Sequence, residues 1–368
     1  MDALKVLAVA DPAVMSYVDL KLIDQYPDEV KMDVFPWADY YSTMLEVFEG
    51  KADYDVIMVA GHLWKRDFVE KGYLAPLSYE EEDILPVIAR EMKYEGIQYL
   101  SPSFCDGHII VYRKSILKAV LGKEFGDTVA PQEYAEAAQR LHQAGYRIAM
   151  KADESEIFTD ALPFLRMGGT DVYDEKTGLI QCDREEVILG LKKYTELKSA
   201  AFSDTETYGN EAVAEKIRSK EAVMAVTWSG QMGTVINETC IDKDDLGYAT
   251  FSTAWNVTWS FAVSSGTPRK KEAEELLRFL RSAEIDGRAG SVSGAPVRRG
   301  NYLPLMEKYP WYRCQLAMFD NAKLLPDLAN AGEKNGVLYH QIALTFSGAK
   351  TSEEAMRDAM KQIKELES

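Results

Sequence analysis

Short apolar runs alternating with amphipathic helices constrain this chain more than any other feature. Nearly continuous hydrophobic stretches at residues 5–10, 54–60, 108–112, 222–227 and 260–264 have the length and composition of strands buried on both faces. Helical patterns lie between them. Residues 132–144 place Tyr134, Ala137, Ala138 and Leu141 on one stripe, with Pro131 at the first turn and Gly145 past the end. Ala273, Leu276, Leu277 and Leu280 form a second stripe, introduced by Thr267 and Pro268. Thr351 and Glu354 make a capping-box pattern ahead of Met356, Ala359, Met360 and Ile363. Asp11, immediately before Pro12, is placed to cap a helix expected over residues 12–26. Strands alternating with helices predict right-handed βαβ units and a mostly parallel sheet. At 368 residues the chain exceeds the size of one core, so two such sheets are expected. In open α/β sheets ligands sit beyond the carboxyl ends of the strands, and chemistry is sought there.

The net charge of -17 comes from acidic residues scattered along the whole length, which argues against a phosphate-backbone partner and excludes nucleic acid. Cys105, Cys182, Cys240 and Cys314 are far apart and form no C-x-x-C pair, so they read as buried thiols rather than as a zinc site or a disulfide scaffold. No apolar run is long enough to cross a bilayer, and no charged segment followed by a hydrophobic signal core opens the chain. If the protein is exported, the chain is expected to be its mature part.

Catalytic signatures are missing. There is no P-loop, no G-x-G-x-x-G after a strand and no H-E-x-x-H, and His62, His108, His142 and His340 stand at no metal-ligand spacing. Residues 290–294 have the glycine frame of a nucleophile elbow, but Val292 occupies its centre. No metal, no cofactor and no turnover are expected.

Tryptophans fall instead in polar segments that follow predicted strands: Trp37, Trp64, Trp228, Trp255 and Trp259. An indole face beside hydrogen-bonding groups suits a pyranose, whose C–H face stacks while its hydroxyls meet carboxylates, amides and arginine. Each tryptophan has a second reading as core packing. Asp11 has capping beside any ligand role, and Asp39, Asp106, Glu154 and Glu156 have the ordinary role of solvated carboxylates. Arg298 reads equally as a ligand contact or as the partner of a surface acid.

Several ordered segments resemble one family. Residues 54–60 followed by Gly72-Tyr-Leu-Ala-Pro-Leu77 resemble a D-V-I then G-x-L-x-P-L pattern, and Ser101-Pro-Ser-Phe-Cys-Asp106 leads into residues 109–114 as at a first crossing between lobes. Residues 220–229, ending in Val-Thr-Trp-Ser, are similar to a G-x-A-A-M strand that ends in an aromatic contact. Residues 269–280 resemble a K-x-x-A-x-x-F-L-x-F-L helix, and Ser293-Gly-Ala-Pro-Val-Arg298 a G-x-x-P-V-R turn. Together these resemble family 1 extracellular solute-binding proteins, which include the maltose- and oligosaccharide-binding receptors of ABC importers. Ala130-Pro-Gln-Glu-Tyr134 departs from the family's T-W-x-E helix start, and Gly61-His-Leu-Trp64 stands where sugar binders often supply an acid.

The resemblance implies an α/β, two-lobed periplasmic-binding-protein-like fold of type II. Lobe one would comprise residues 1–108 and 258–300, and lobe two residues 109–257 and 301–368, with hinge crossings near 107–112 and 254–260. Ligand contacts carried over by position, together with the strand-end Trp259, are Asp11, Trp37, Asp39, His62, Trp64, Asp106, Glu154, Trp228, Trp255, Asn256 and Arg298. The expected role is a monomeric, extracytoplasmic receptor, periplasmic or lipid-anchored, that captures a carbohydrate and passes it to a membrane permease. A polyamine-like cation boxed by tryptophans stays open as a ligand, and so does an enzyme on the same architecture.

Overall fold

The computed structural model describes residues 2–80, 82–293 and 295–367. The chain divides into two compact units, residues 1–106 with 257–309, and residues 107–256 with 310–368.

In the first unit the strand Leu4–Val9 lies between Val30–Phe35 and Val56–Ala60, parallel to both. The strand Asn256–Val263 re-enters beside Val56–Ala60 and runs antiparallel, with Trp259 opposite Ala60 and Val263 opposite Val56. Helices Pro12–Asp19, Trp37–Phe48 and Gly61–Glu70 begin within two residues of the carboxyl ends of the three parallel strands. That connection places the residues following each strand along one edge of the sheet. The first helix stops at Asp19 instead of running to residue 26, because Lys21 turns into the left-handed region at φ 51 and a short 3-10 turn, Ile23–Gln25, follows. The turn directs Leu22 into the core, where it is fully buried.

Polar groups brace this core. Asp55 accepts from the Lys5 amide at 2.9 Å, from Thr267 Oγ1 at 2.5 Å and from the Arg269 guanidinium. Arg281 and Asp286 form a wholly buried ion pair at 2.9 Å, with Arg281 also donating to the Ser103 carbonyl at 2.9 Å.

The second unit is built on the strand Leu100–Arg113, all of whose residues are buried. Its half within this unit pairs antiparallel with Met224–Trp228 on one side, from His108 opposite Trp228 to Tyr112 opposite Met224, and with Leu246–Phe251 on the other. Ile148–Ala149 and Thr128–Val129 add parallel edges. Parallel pairing thus holds inside each local strand and helix run. Apart from the small hairpin of Lys93–Tyr94 with Ile97–Gln98, antiparallel pairing appears where the strands that carry the chain between units, Leu100–Arg113 and Asn256–Val263, enter a sheet. Their direction is not bound by a right-handed βαβ crossover. Helices Pro131–Gln143, Ile157–Leu165, Glu185–Glu196, Ala331–Ser347 and Ser352–Leu366 cover the unit. The last opens with the expected capping box, Thr351 accepting from the Glu354 amide while Glu354 accepts from that of Thr351.

All four cysteines are buried and unbridged, and burial pushes the Cys182 thiol up to about 12. Among the described residues no helix is long and apolar enough to cross a membrane.

Candidate functional site

Three indoles meet at the carboxyl edge of the first unit's parallel strands. Trp37 opens the helix Trp37–Phe48 directly after Pro36, and stays 50% exposed. Trp64 lies one turn into Gly61–Glu70 and is 8% exposed. Trp259 reaches the same edge because its strand register sets it opposite Ala60, the last residue of Val56–Ala60. The Trp37 and Trp64 rings stack at 5.6 Å and 21°. Trp259 presents its ring nearly perpendicular to both, at 5.6 Å and 83° to Trp37 and at 6.3 Å and 78° to Trp64. Tyr41, one turn after Trp37 and exposed, packs on Trp64 at 5.4 Å, and Phe104 stacks on Trp259 at 6.4 Å. Such a cluster offers aromatic faces that are held rigid by their neighbours, the condition for stacking a sugar ring without ordering the side chains anew.

The polar candidates of this unit differ in how they are held. Asp11 Oδ1 accepts from the Ala13 amide at 2.8 Å, the expected helix cap. Asp39 is exposed in the first helical turn beside Trp37, where the helix dipole favours a carboxylate. His62 follows Gly61, and burial pushes its imidazole down to about 3, so the ring is neutral near pH 7. Asp106 is buried in Leu100–Arg113 at the unit's boundary. The Arg298 guanidinium donates to the Arg281 carbonyl at 2.5 Å and to the carbonyl of Glu82, so it ties loop to helix end. Gly294, which opens the motif before Arg298, lies outside the described residues.

A second aromatic centre lies in the other unit around Trp228, the last residue of Met224–Trp228. His108 stacks on its ring at 4.3 Å and 26°, Trp255 meets it edge-on at 5.6 Å, and the Lys151 ammonium sits 3.8 Å from the ring centroid. The indole N–H donates to Glu156 Oε2 at 3.4 Å, and Asn210 Nδ2 donates to Glu156 Oε1 at 3.1 Å. Of the two glutamates weighed from the sequence, Glu156 therefore stands at Trp228. Glu154 is exposed and pairs with His340 at 2.9 Å. Trp255 and Asn256 are each 1% exposed, next to the chain's return to the first unit.

Sequence reasoning passed over Tyr41, Phe104, Lys151 and Asp160. Lys151 carried no signal, since a lysine in a polar stretch reads as solvated. Among the described residues no group of His, Cys, Asp and Glu is placed to hold a metal ion.

The model of the bacterial extracellular solute-binding protein family matches residues 21–286. No curated protein matches the chain. Among solved structures, maltose-bound MalE3 of T. maritima superposes with a TM-score of 0.86 at 23% identity, covering 99% of this chain and 100% of that one. The GacH receptor of Streptomyces glaucescens GLA.O, solved unliganded and with acarbose, gives 0.83 at 20% identity, over 100% and 99% of the two chains. A solute-binding protein of an ABC transporter from Agrobacterium radiobacter K84, in complex with ribitol, gives 0.85 at 18% identity, over 99% and 98%.

Proposed function

The chain belongs to the bacterial extracellular solute-binding protein family, and from that premise we propose that it is the receptor of an ABC importer. It captures a sugar or oligosaccharide outside the cytoplasmic membrane and presents it to a membrane permease, as a monomer, without cofactor or turnover. Solved structures of the same fold hold maltose, acarbose, tagatose, mannitol and ribitol, all polyhydroxylated and uncharged or carbohydrate-derived.

The observation that carries this reading is the Trp37, Trp64 and Trp259 cluster at the carboxyl edge of the parallel strands, with Trp37 half exposed beside Asp39. It sits where ligands bind in open α/β sheets. In the second unit Trp228 and Glu156 form an aromatic and carboxylate pair of their own. A ligand favours whichever conformational state of the receptor it binds more tightly, and that state is what a permease would recognise.

Calorimetric titration with maltose, acarbose, ribitol, D-mannitol and tagatose tests the reading. One member should bind, and Trp37→Ala should weaken it by about tenfold or more, the loss of an exposed stacking face. Equal affinity in parent and variant would place the sugar elsewhere. A salt series separates the cationic alternative, because attraction of a polyamine to Asp11, Asp39, Asp106 and Glu154 weakens as ionic strength rises.

A further inference from the structure

Lys151, with no exposed surface, lies among apolar and aromatic groups of the second unit. Among the described residues its ammonium has no hydrogen-bond partner and one ionic one, Asp160 Oδ1 at 3.6 Å. The same carboxylate oxygen is 4.0 Å from His108 Nε2, and among the described residues neither ring nitrogen of His108 is hydrogen bonded. Burying such a loosely paired lysine is unfavourable, and an apolar residue of similar volume would serve stability better. The geometry offers another reason to keep it. The ammonium faces the Trp228 ring at 3.8 Å, His108 stacks on that ring, and Glu156 receives its N–H. A desolvated cation over an indole is the strong form of that interaction. Here it joins Trp228 to Asp160 through one side chain.

We propose that Lys151 and Asp160 are positioning residues for Trp228: the buried ammonium, anchored by the Asp160 carboxylate, fixes the plane in which Trp228 meets a bound sugar. The proposal rests on the reading of Trp228 as a ligand contact. When Asp160 takes up a proton the anchor is lost, the ammonium is left without a counter-charge, and Trp228 leaves its binding orientation. Acid therefore releases the sugar.

The groups around Asp160 define which proton matters. Lys151 faces it from the segment after Ile148–Ala149 and His108 from Leu100–Arg113. Tyr194 of Glu185–Glu196 donates to Oδ2 at 3.2 Å, and Tyr134 of Pro131–Gln143 is close enough to feel the carboxylate charge. On its own helix Glu156 precedes it and Arg166 follows. Burial pushes the Asp160 carboxyl up to about 6 against the opposing pull of Lys151 and Tyr194, with Glu156 adding a smaller push upward. Burial and then the charges of Lys151 and Arg166 hold His108 far below its ordinary value, so it stays neutral throughout. Tyr134 and Tyr194 are raised by burial and keep their protons.

Two measurements test the proposal. In the ligand-free protein, the fluorescence of Trp228 is isolated as parent minus Trp228→Phe and followed from about pH 8 to about pH 5. A transition centred near pH 6 is expected, absent in Lys151→Met and retained in Lys151→Arg. A Trp228 signal that does not titrate in the parent overturns the positioning role, and needs no variant of the cluster. The second measurement is the maltose Kd near pH 7.5 and near pH 5, or the ribitol Kd where maltose does not bind. It should rise about tenfold in the parent, as the fraction of chains with ionised Asp160 falls to roughly one in eleven. Lys151→Met should bind weakly and without that pH dependence. Fluorescence that titrates beside a pH-independent Kd would overturn the coupling to ligand. Failure of any sugar to bind defeats the receptor reading alone, and the fluorescence still decides the rest.

Discussion

His62, a partly buried group, shows how a single side chain governs the response to acid. Its pKa of about 3 in the folded chain returns to about 6.5 on unfolding. Below about pH 6.5 the unfolded state therefore binds a proton that the folded state refuses, and stability drains at up to about 1.4 kcal/mol per pH unit. The full contribution is present only above that value. His108, also depressed, acts in the same direction. Asp160 acts oppositely: its raised pKa of about 6 means that between about 6 and 3.8 the folded state holds the extra proton, so acidification relieves part of its burial cost. Two histidines outweigh one carboxylate, and the chain should lose stability from about pH 6.5 downward. His62→Gln removes one histidine from the sum. Urea midpoints at about pH 6.5 and pH 5 should show the parent losing about 2 kcal/mol more than the variant. Parallel losses in the two proteins would refute the assignment to His62.

At the scale of elements, the helix Glu185–Glu196 packs against Ile157–Leu165 through Gly190, where an added Cβ would lie 2.2 Å from the Phe164 carbonyl oxygen and 2.8 Å from its carbon. Helix propensity favours alanine there by about 1 kcal/mol. Backbone cannot move aside as a flexible side chain can, and overpacking costs about 1–3 kcal/mol or more. Gly190→Ala should therefore destabilise, whereas Gly336→Ala, in Ala331–Ser347 with nothing within 4 Å of the new methyl, should stabilise by up to about 1 kcal/mol. Melting temperatures of the two variants that shift in the same direction would contradict the packing argument. What was legible at this scale follows local rules. The stripe Tyr134, Ala137, Ala138 and Leu141 is buried, the capping box at Thr351 forms, and Asp11 caps its helix. The strand Leu100–Arg113 was visible only in its second half, because Ser101, Pro102, Ser103 and Asp106 read as loop until tertiary burial claims them. The early stop of the first helix lacked any glycine or proline to announce it. The tryptophans could be placed at strand ends from position alone, but Lys151 and Asp160 could not, since a lysine reads as solvated by default and their meeting depends on distant segments.

For the whole molecule, the chain passes between its units after Asp106, after Asn256 and after Tyr309. Two of those passages lie inside or at the start of the strands Leu100–Arg113 and Asn256–Val263, so the first unit is laid down in two stretches and the second closes the chain with residues 310–368. Each unit has its own sheet and its own buried side chains. A chain of this kind can unfold in separable steps unless something couples the units. A sugar that binds the folded chain and not the unfolded one stabilises the unit that holds it. At one hundred times Kd the stabilisation is about 2.7 kcal/mol. Spread over the unfolding entropy of a 368-residue chain, that corresponds to about 3–4 °C. Scanning calorimetry with saturating maltose, or whichever sugar binds, should show melting raised by about this amount. A protein whose every transition stays at its ligand-free temperature under saturating sugar would refute binding to the folded chain.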